Sequence, residues 1–515
     1  MKSPHSPSLA APIAWVLSAC RKLLDTRPQF HALLGASSLQ PLFEAIARFK
    51  TWLLINETSR RCPAFRQRLK SHDMNARKIQ RVSRLPETSK ESYIKPYPLE
   101  DRTRTGILPR GGIVIDESSG SSGAPTNWVR GSHERQAVSK ALQLACGMMH
   151  GKERIFVLNC FAPGPWATGM NVSMSVADVS WLKSIGPDTN KIDATLREFG
   201  SGFRYLLRGY PPFIKRFLDE TTTGLSEFDI HLVLGGEGNS EGLRDYFLQT
   251  FASVYSSSGA SDLEISIGME TDLTIGLRRS CLDDPILNRK LFGTSETPII
   301  FQYNPLDYHI EANTEGEMLF TVLRRNGLIP KIRYNLKDRG SVMTCREVDR
   351  LSGKQFQRIE EENPRHLHFP FLFVFGRTDP TVPFFGANLY ASDLERVINE
   401  HPDLVGLVQS FRMITGEDEE LDRNLLISLE LVGAKESCMY RMETIQVWIY
   451  EALQAVNQDF REVSKMFSIK RVHVECHDRE PGPFANADAR LKSNYIVDAA
   501  SPVGASYRKR LSRTS

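Results

Sequence analysis

Short apolar runs rich in β-branched and aromatic residues recur along this chain, separated by stretches long enough for helices. That alternation narrows the fold to a layered α/β architecture. The runs Ile113-Val114-Ile115, Ile155-Phe156-Val157-Leu158, His231-Leu232-Val233-Leu234 and Leu263-Glu264-Ile265-Ser266-Ile267 read as strands. So do Met318-Leu319-Phe320-Thr321-Val322-Leu323 and Phe371-Leu372-Phe373-Val374-Phe375. Ser240 to Val254 reads as one of the helices between them. Residues 1 to about 75 read as helical, with Leu39, Leu42, Phe43, Ile46, Ala47 and Phe49 at helix-like spacing. No repeat of solenoid length is present.

A chain of 515 residues has room for two or more domains. Hydrophobic residues make up 41% and charged residues 24%, as in an ordinary globular protein, and the net charge of +4 gives no basic stripe for nucleic acid. The eight cysteines are scattered without a C-x-x-C pair, which argues against a zinc knuckle and for a reducing, cytoplasmic setting. No apolar stretch approaches the ~20 residues that span a bilayer. Leu9 to Cys20 has the outline of a lipoprotein signal, but Pro12 interrupts it and its spacing continues into Leu23-Leu24, so an amphipathic helix is expected there.

The strand ending in Gly376-Arg377-Thr378-Asp379-Pro380 marks a boundary, because Gly and Pro at a join suit a hinge. We expect a large N-terminal domain over 1–377 and a small α/β domain over 378–515. The small domain would hold a helix from about Ser392 to Glu400, a strand around Leu425 to Leu431, and a long helix from roughly Met439 to Phe467.

Directly after the first strand comes Asp116-Glu117-Ser118-Ser119-Gly120-Ser121-Ser122-Gly123-Ala124-Pro125-Thr126. Glycines let consecutive N–H groups converge on one point, and serines add hydroxyl donors, so the loop suits the β- and γ-phosphates of ATP. It lacks G-K-[ST] and is not a Walker A loop. The alternative for such a string is a flexible linker.

The full string resembles the phosphate loop of the adenylate-forming superfamily, which includes acyl-CoA synthetases, peptide-synthetase adenylation domains and luciferases. Thr126, where most members carry Lys, is similar to the phenylacetate-CoA ligase branch. Further segments resemble that branch in order: Cys62-Pro63-Ala64-Phe65, Leu85-Pro86-Glu87-Thr88-Ser89-Lys90, Phe161 to Gly169, Gly186-Pro187-Asp188, and Gly209-Tyr210-Pro211-Pro212-Phe213. The series continues with Leu234-Gly235-Gly236-Glu237, Arg333-Tyr334-Asn335-Leu336-Lys337-Asp338 and Gly376-Arg377-Thr378-Asp379. The resemblance covers residues from about 55 to 400 and is diffuse beyond.

The resemblance implies ATP-dependent activation of a carboxylic acid, with Mg2+, followed by transfer to coenzyme A. Ser118, Ser119, Gly120, Ser121, Ser122, Gly123 and Thr126 would hold the leaving phosphates, and Gly235, Gly236 and Glu237 would contact adenine. Asp338 would accept hydrogen bonds from ribose hydroxyls, and Arg377 would contact ribose or the α-phosphate. Trp166, Gly236 and Gly268 would line the acid pocket, and Asp379 would be the hinge, with Pro380 after it restricting its backbone. The family places its magnesium glutamate after Gly-x-Thr. Here Gly268-Met269-Glu270-Thr271-Asp272 exchanges Glu and Thr, so Glu270 or Asp272 would take the metal. Lys492 is the candidate for the C-terminal catalytic lysine, with Lys470 and Arg490 as rivals.

An amine or a carrier protein is the alternative acceptor, and a homodimer is a compatible assembly. A third reading is a degenerate, non-catalytic nucleotide-binding protein, prompted by the Glu270-Thr271 exchange, by Pro380 and by the missing Gly before Lys492. There is no H-E-x-x-H to support zinc-protease chemistry. His366-Leu367-His368 is a weak metal pattern.

Overall fold

The computed structural model describes residues 39–75, 82–118, 126–150, 154–363, 367–378, 381–433, 440 and 442–478. Strands β1 (Val114–Ser118) and β2 (Thr126–Arg130) form an antiparallel hairpin. The next eleven strands share one sheet. They are β3 (Ile155–Asn159), β4 (Trp181–Ser184), β5 (Arg204–Gly209), β6 (Asp229–Leu234), β7 (Ser253–Ser258), β8 (Gly268–Met269), β9 (Ile299–Tyr303), β10 (Tyr308–Ala312), β11 (Glu317–Val322), β12 (Tyr334–Met343) and β13 (Phe371–Arg377). Their spatial order is β10-β11-β12-β13-β9-β8-β7-β6-β5-β3-β4.

The sheet has two halves. From β4 to β7 every pairing is parallel, and from β7 to β10 every pairing is antiparallel. Parallel strands need crossover connections, supplied here by helices such as Thr189–Phe199, Pro211–Glu220 and Glu241–Leu248. Strands covered on both faces carry unbroken apolar runs, and β3 is buried at all five positions. Leu206, Leu207, Leu232 and Leu234 are at most 1% exposed, each worth roughly 1.5–3 kcal/mol of burial.

Beyond β13, strands β14 (Thr381–Phe384) and β15 (Ala387–Tyr390) form a hairpin. The helix Ala391–Glu400 follows, and then a three-stranded sheet of β16 (Val408–Glu417), β17 (Arg423–Leu431) and β18 (Val472–His477). Its apolar residues join those of the parallel strands in one cluster, in which Phe161, Tyr210 and Phe213 meet Phe384, Phe385 and Leu389. Ion pairs reinforce the contact: Lys215 Nζ lies 2.9 Å from Asp422 Oδ1, and Arg216 Nη1 donates to the Met466 carbonyl at 2.7 Å.

Three expected elements differ. The helix placed over Ser240 to Val254 ends at Leu248, and Val254 belongs to β7. Leu263 to Ile267 is an irregular buried segment rather than a strand. Arg130 binds its Ser261 and Leu263 carbonyls, Ser266 has a φ of 56°, and Glu264 accepts from the Tyr308 hydroxyl at 2.7 Å. Side-chain bonds thus replace ladder bonds there. The long C-terminal helix is two, Met442–Val456 and Gln458–Val463. Asn457 breaks it, accepting from the Phe460 N–H at 2.8 Å as the second helix's N-cap while its amide donates to Asp393 at 2.7 Å. The N-terminal helical expectation is met by Gln40–Arg61 and Pro63–Ser71, and residues 1–38 lie outside the described residues. No helix among the described residues is long and apolar enough to cross a membrane.

Candidate active site

Parallel α/β sheets bind ligands beyond the carboxyl ends of their strands. At that edge β5 ends in Gly209 and leads to Tyr210, β6 leads to Gly235 and Gly236, and β3 leads through Cys160 to Phe161. The Phe161 and Tyr210 rings meet edge to face, centroids 5.0 Å apart. Gly236 has a φ of +83°, and a Cβ there would lie 2.5 Å from the Tyr210 ring. Glycine is therefore required on both counts.

The Ser/Gly hairpin stands beside this edge. The Glu117 N–H donates to the Pro165 carbonyl at 2.9 Å, and Glu117 forms a parallel bridge with Trp166. Trp166, half-buried, leads into the helix Ala167–Val176. The strand that leads into the expected phosphate loop thus adjoins the expected aromatic segment. Ser118 and Thr126 are register partners that close the hairpin. Ser119, Gly120, Ser121, Ser122 and Gly123 lie outside the described residues.

The root of the hairpin is heavily supported. Ser118 Oγ accepts from Trp128 Nε1 at 2.8 Å and from Lys90 Nζ at 3.4 Å. Arg130 pairs with buried Asp116 at 2.8 Å. Beneath Trp128 lies Lys331, its ammonium 4.3 Å from the Trp128 ring centroid and 4.8 Å from that of Tyr334. Burial, helped by the charge of Arg130, pushes the Lys331 pKa down to about 7. The sequence offered no signal for Lys331, since an isolated lysine after Pro330 reads as surface.

Asp338 and Arg377 face each other across the β12–β13 ladder, with Arg377 Nη1 3.6 Å from Asp338 Oδ1 and both side chains part-exposed. The structure brings together these two candidates from distant sequence. Next to them Thr378 Oγ1 donates to Glu317 Oε1 at 2.6 Å, and the Thr378 N–H to the Lys337 carbonyl at 2.7 Å. Glu317 also accepts from Asn335 at 2.6 Å and pairs with Lys337 at 3.0 Å. Burial opposes ionisation of Glu317, but these partners, Thr378 foremost, outweigh it and hold its pKa at about 2. Sequence reasoning missed Glu317, which only the fold carries to the end of β13. Asp379, Pro380, Arg490 and Lys492 lie outside the described residues, and Lys470 is exposed on the turn Ile469–Arg471.

Three expected site residues are placed differently. Glu270 is 3% exposed and engaged in the core: Arg244 Nη2 lies 2.7 Å from its Oε1, and the Ser256 N–H donates to its Oε2 at 2.6 Å. A carboxylate so enclosed does not fit a nucleotide-bound magnesium. Thr271, in the position of the family's glutamate, caps the helix Asp272–Asp283 in a reciprocal capping box with Thr274. Asp272 is exposed and accepts from the Tyr255 hydroxyl at 2.7 Å.

Glu237 is turned toward the C-terminal strands. It accepts from the Gly386 N–H and lies 3.5 Å from Arg423 Nε. Burial pushes its carboxyl pKa up against the pull of Arg423. Gly268 serves close packing: a Cβ there would lie 3.0 Å from that of Phe301 and 3.4 Å from Leu372.

No protein-family profile and no curated protein matches the sequence. Solved structures do match the fold. One is a 2-hydroxyisobutyryl-CoA ligase in complex with 2-HIB-AMP and CoA in the thioesterification state, with a TM-score of 0.63, 15% identity and 93% of each chain covered. The same ligase in the postadenylation state with R3-HIB-AMP gives a TM-score of 0.50 at 16% identity, covering 91% of this chain and 92% of that one. The chain thus shares the fold of these CoA-ligase structures.

Proposed function

We propose that the protein activates a carboxylic acid with ATP and transfers the acyl group to coenzyme A, in the manner of the phenylacetate-CoA ligase branch. A carboxylate oxygen attacks the α-phosphorus, the bond to the β-phosphate breaks, and pyrophosphate leaves. The thiol of coenzyme A then attacks the acyl carbon, AMP leaves, and the thiol proton passes to solvent. The observation that carries this reading is the juxtaposition of Asp338 and Arg377 on paired strands. One supplies acceptors for ribose hydroxyls and the other a fixed cation for an anionic transition state.

Other features support it. Ser118 is anchored by Trp128 and Lys90, which fixes one end of the Ser/Gly loop for the phosphates. Phe161, Tyr210 and Trp166 give the acid an aromatic surrounding at the carboxyl edge. Magnesium would come with the nucleotide phosphates, with Asp272 as its protein carboxylate. Lys492 would neutralise charge during adenylation, and Asp379 would be the pivot of the segment over 378–515. The likeness in fold to a CoA ligase over 93% of each chain supports coenzyme A over an amine or carrier protein as acceptor. Six described cysteines are free and buried, which supports a reducing, cytoplasmic setting.

The test is acceptor dependence. The chain is incubated with ATP, magnesium and a panel of acids, with and without coenzyme A, and products are identified by mass spectrometry. We expect an acyl-CoA thioester and AMP that require coenzyme A. Amide formed with added amines in place of the thioester would shift the acceptor. A second reading, a nucleotide-binding protein without turnover, draws on Glu270 in the core and Thr271 held as a helix cap. ATP binding with no product from any acid would favour it.

A further inference from the structure

Between β12 and β13 the chain forms two helices, Cys345–Ser352 and Lys354–Glu362, and then returns to the sheet. Three side chains from this segment converge: Cys345 at the start of the first helix, Glu360 on the second, and His368 just before β13. A thiol sulfur, a carboxylate oxygen and an imidazole nitrogen all lie within 4.8 Å of one another. His368 Nε2 is 3.3 Å from Glu360 Oε1.

A fourth donor stands one turn along. Asp349 is four residues after Cys345, hence on the same helix face. Its Oδ1 is buried and has no hydrogen-bond partner among the described residues. The Glu360 carboxylate thus stands beside the thiol and the imidazole, and the Asp349 Oδ1 one turn along has no donor to meet it. Packing explains the sulfur, which joins Val348, Phe356, Ile359, Phe371 and Phe373 in an apolar cluster, but it does not explain the carboxylate beside it.

We propose that Cys345, Glu360 and His368, with Asp349 as fourth donor, bind a divalent cation of the zinc class. Thiolate and imidazole are borderline-soft ligands that select zinc over magnesium or calcium. Ligands at zinc distances stand about 3.4 Å apart, so a contraction of the present cluster brings its three atoms into the shell, and Asp349 would swing in as the fourth. Binding converts the thiol to a thiolate and releases its proton to solvent. The ion ties both helices to the entrance of β13, the strand that ends in Arg377. The site is structural and takes no part in acyl transfer.

The test uses the full chain, freed of metal with a chelator and titrated with Co2+ and then Zn2+. We expect one equivalent of Co2+ with a thiolate-to-metal absorption band, displacement by Zn2+ but not by Mg2+, and a higher Tm in the loaded protein. Cys345→Ser should abolish the band, and His368→Gln should weaken Zn2+ binding by about 10–100-fold. A folded wild-type chain without the cobalt–thiolate band would overturn the proposal, as would Cys345→Ser that binds Zn2+ like the wild type. If Cys345→Ser does not fold, the wild-type spectrum and the His368→Gln titration decide. Unchanged affinity in His368→Gln would then reject the site.

Discussion

The Arg377 guanidinium reaches across the β12–β13 ladder to within 3.6 Å of the Asp338 carboxylate, one pair joining two segments 39 positions apart in sequence. Both side chains are part-exposed, so the pair itself adds at most about 1 kcal/mol to stability. Its value lies in presenting an acceptor and a cation together. Asp338→Asn and Arg377→Ala should each weaken ATP binding by roughly 10–100-fold, the size of a lost charged hydrogen bond, with little change in Tm. The double variant should lose less than the product of the two. Isothermal titration with ATP checks both statements.

Glu270 behaves as a core residue in this account. Removing one partner of a buried pair strands the other, so Glu270→Ala should cost about 3–5 kcal/mol of stability through Arg244. Chemical denaturation measures the cost. The magnesium dependence of turnover should respond to Asp272→Asn instead. A folded Glu270→Gln variant that lost its magnesium response would contradict this assignment.

Glu317 gives a pH signature. Its folded pKa of about 2 lies below the ordinary carboxylate value of 4.5, so its stabilisation is present above 4.5 and is lost as pH falls toward 2. Glu317→Gln should be less stable than the wild type by roughly 1–3 kcal/mol at neutral pH. The difference should close across that acid window. Thermal melts of the two proteins from neutral to acid pH provide the measurement.

Gly386 has a φ of +89°, and a Cβ there would fall 2.3 Å from the Tyr210 ring. Gly386→Ala should therefore push β14 and β15 off the carboxyl edge, at a cost of about 1–3 kcal/mol to that docking. We expect thioester formation to slow more than pyrophosphate exchange. Parallel assays of the two half-reactions show whether the losses differ.

The strands at Ile155, His231, Met318 and Phe371 were legible because buried strands carry continuous apolar runs that helices of that length do not. Leu263 to Ile267 has the same alternation, yet it is tied down by Arg130, Tyr308 and Arg324 from far along the chain, partners that periodicity does not reveal. The break at Asn457 depends on Asp393, 64 residues away. At the site, motif strings named Asp338 and Arg377 but gave no sign that the two pair across β12 and β13. The partners of Glu237 and Glu270, Arg423 and Arg244, meet them only in the folded chain. The support given to Thr378 by Glu317 left no local print for the same reason.

ATP–pyrophosphate exchange across aryl, fatty and amino acids tests for adenylation itself, with wild type beside Arg377→Ala and Lys492→Ala. We predict acid-dependent exchange with one acid class in the wild type, reduced at least tenfold in both variants. Wild-type protein that binds ATP but exchanges no label with any acid would contradict the account.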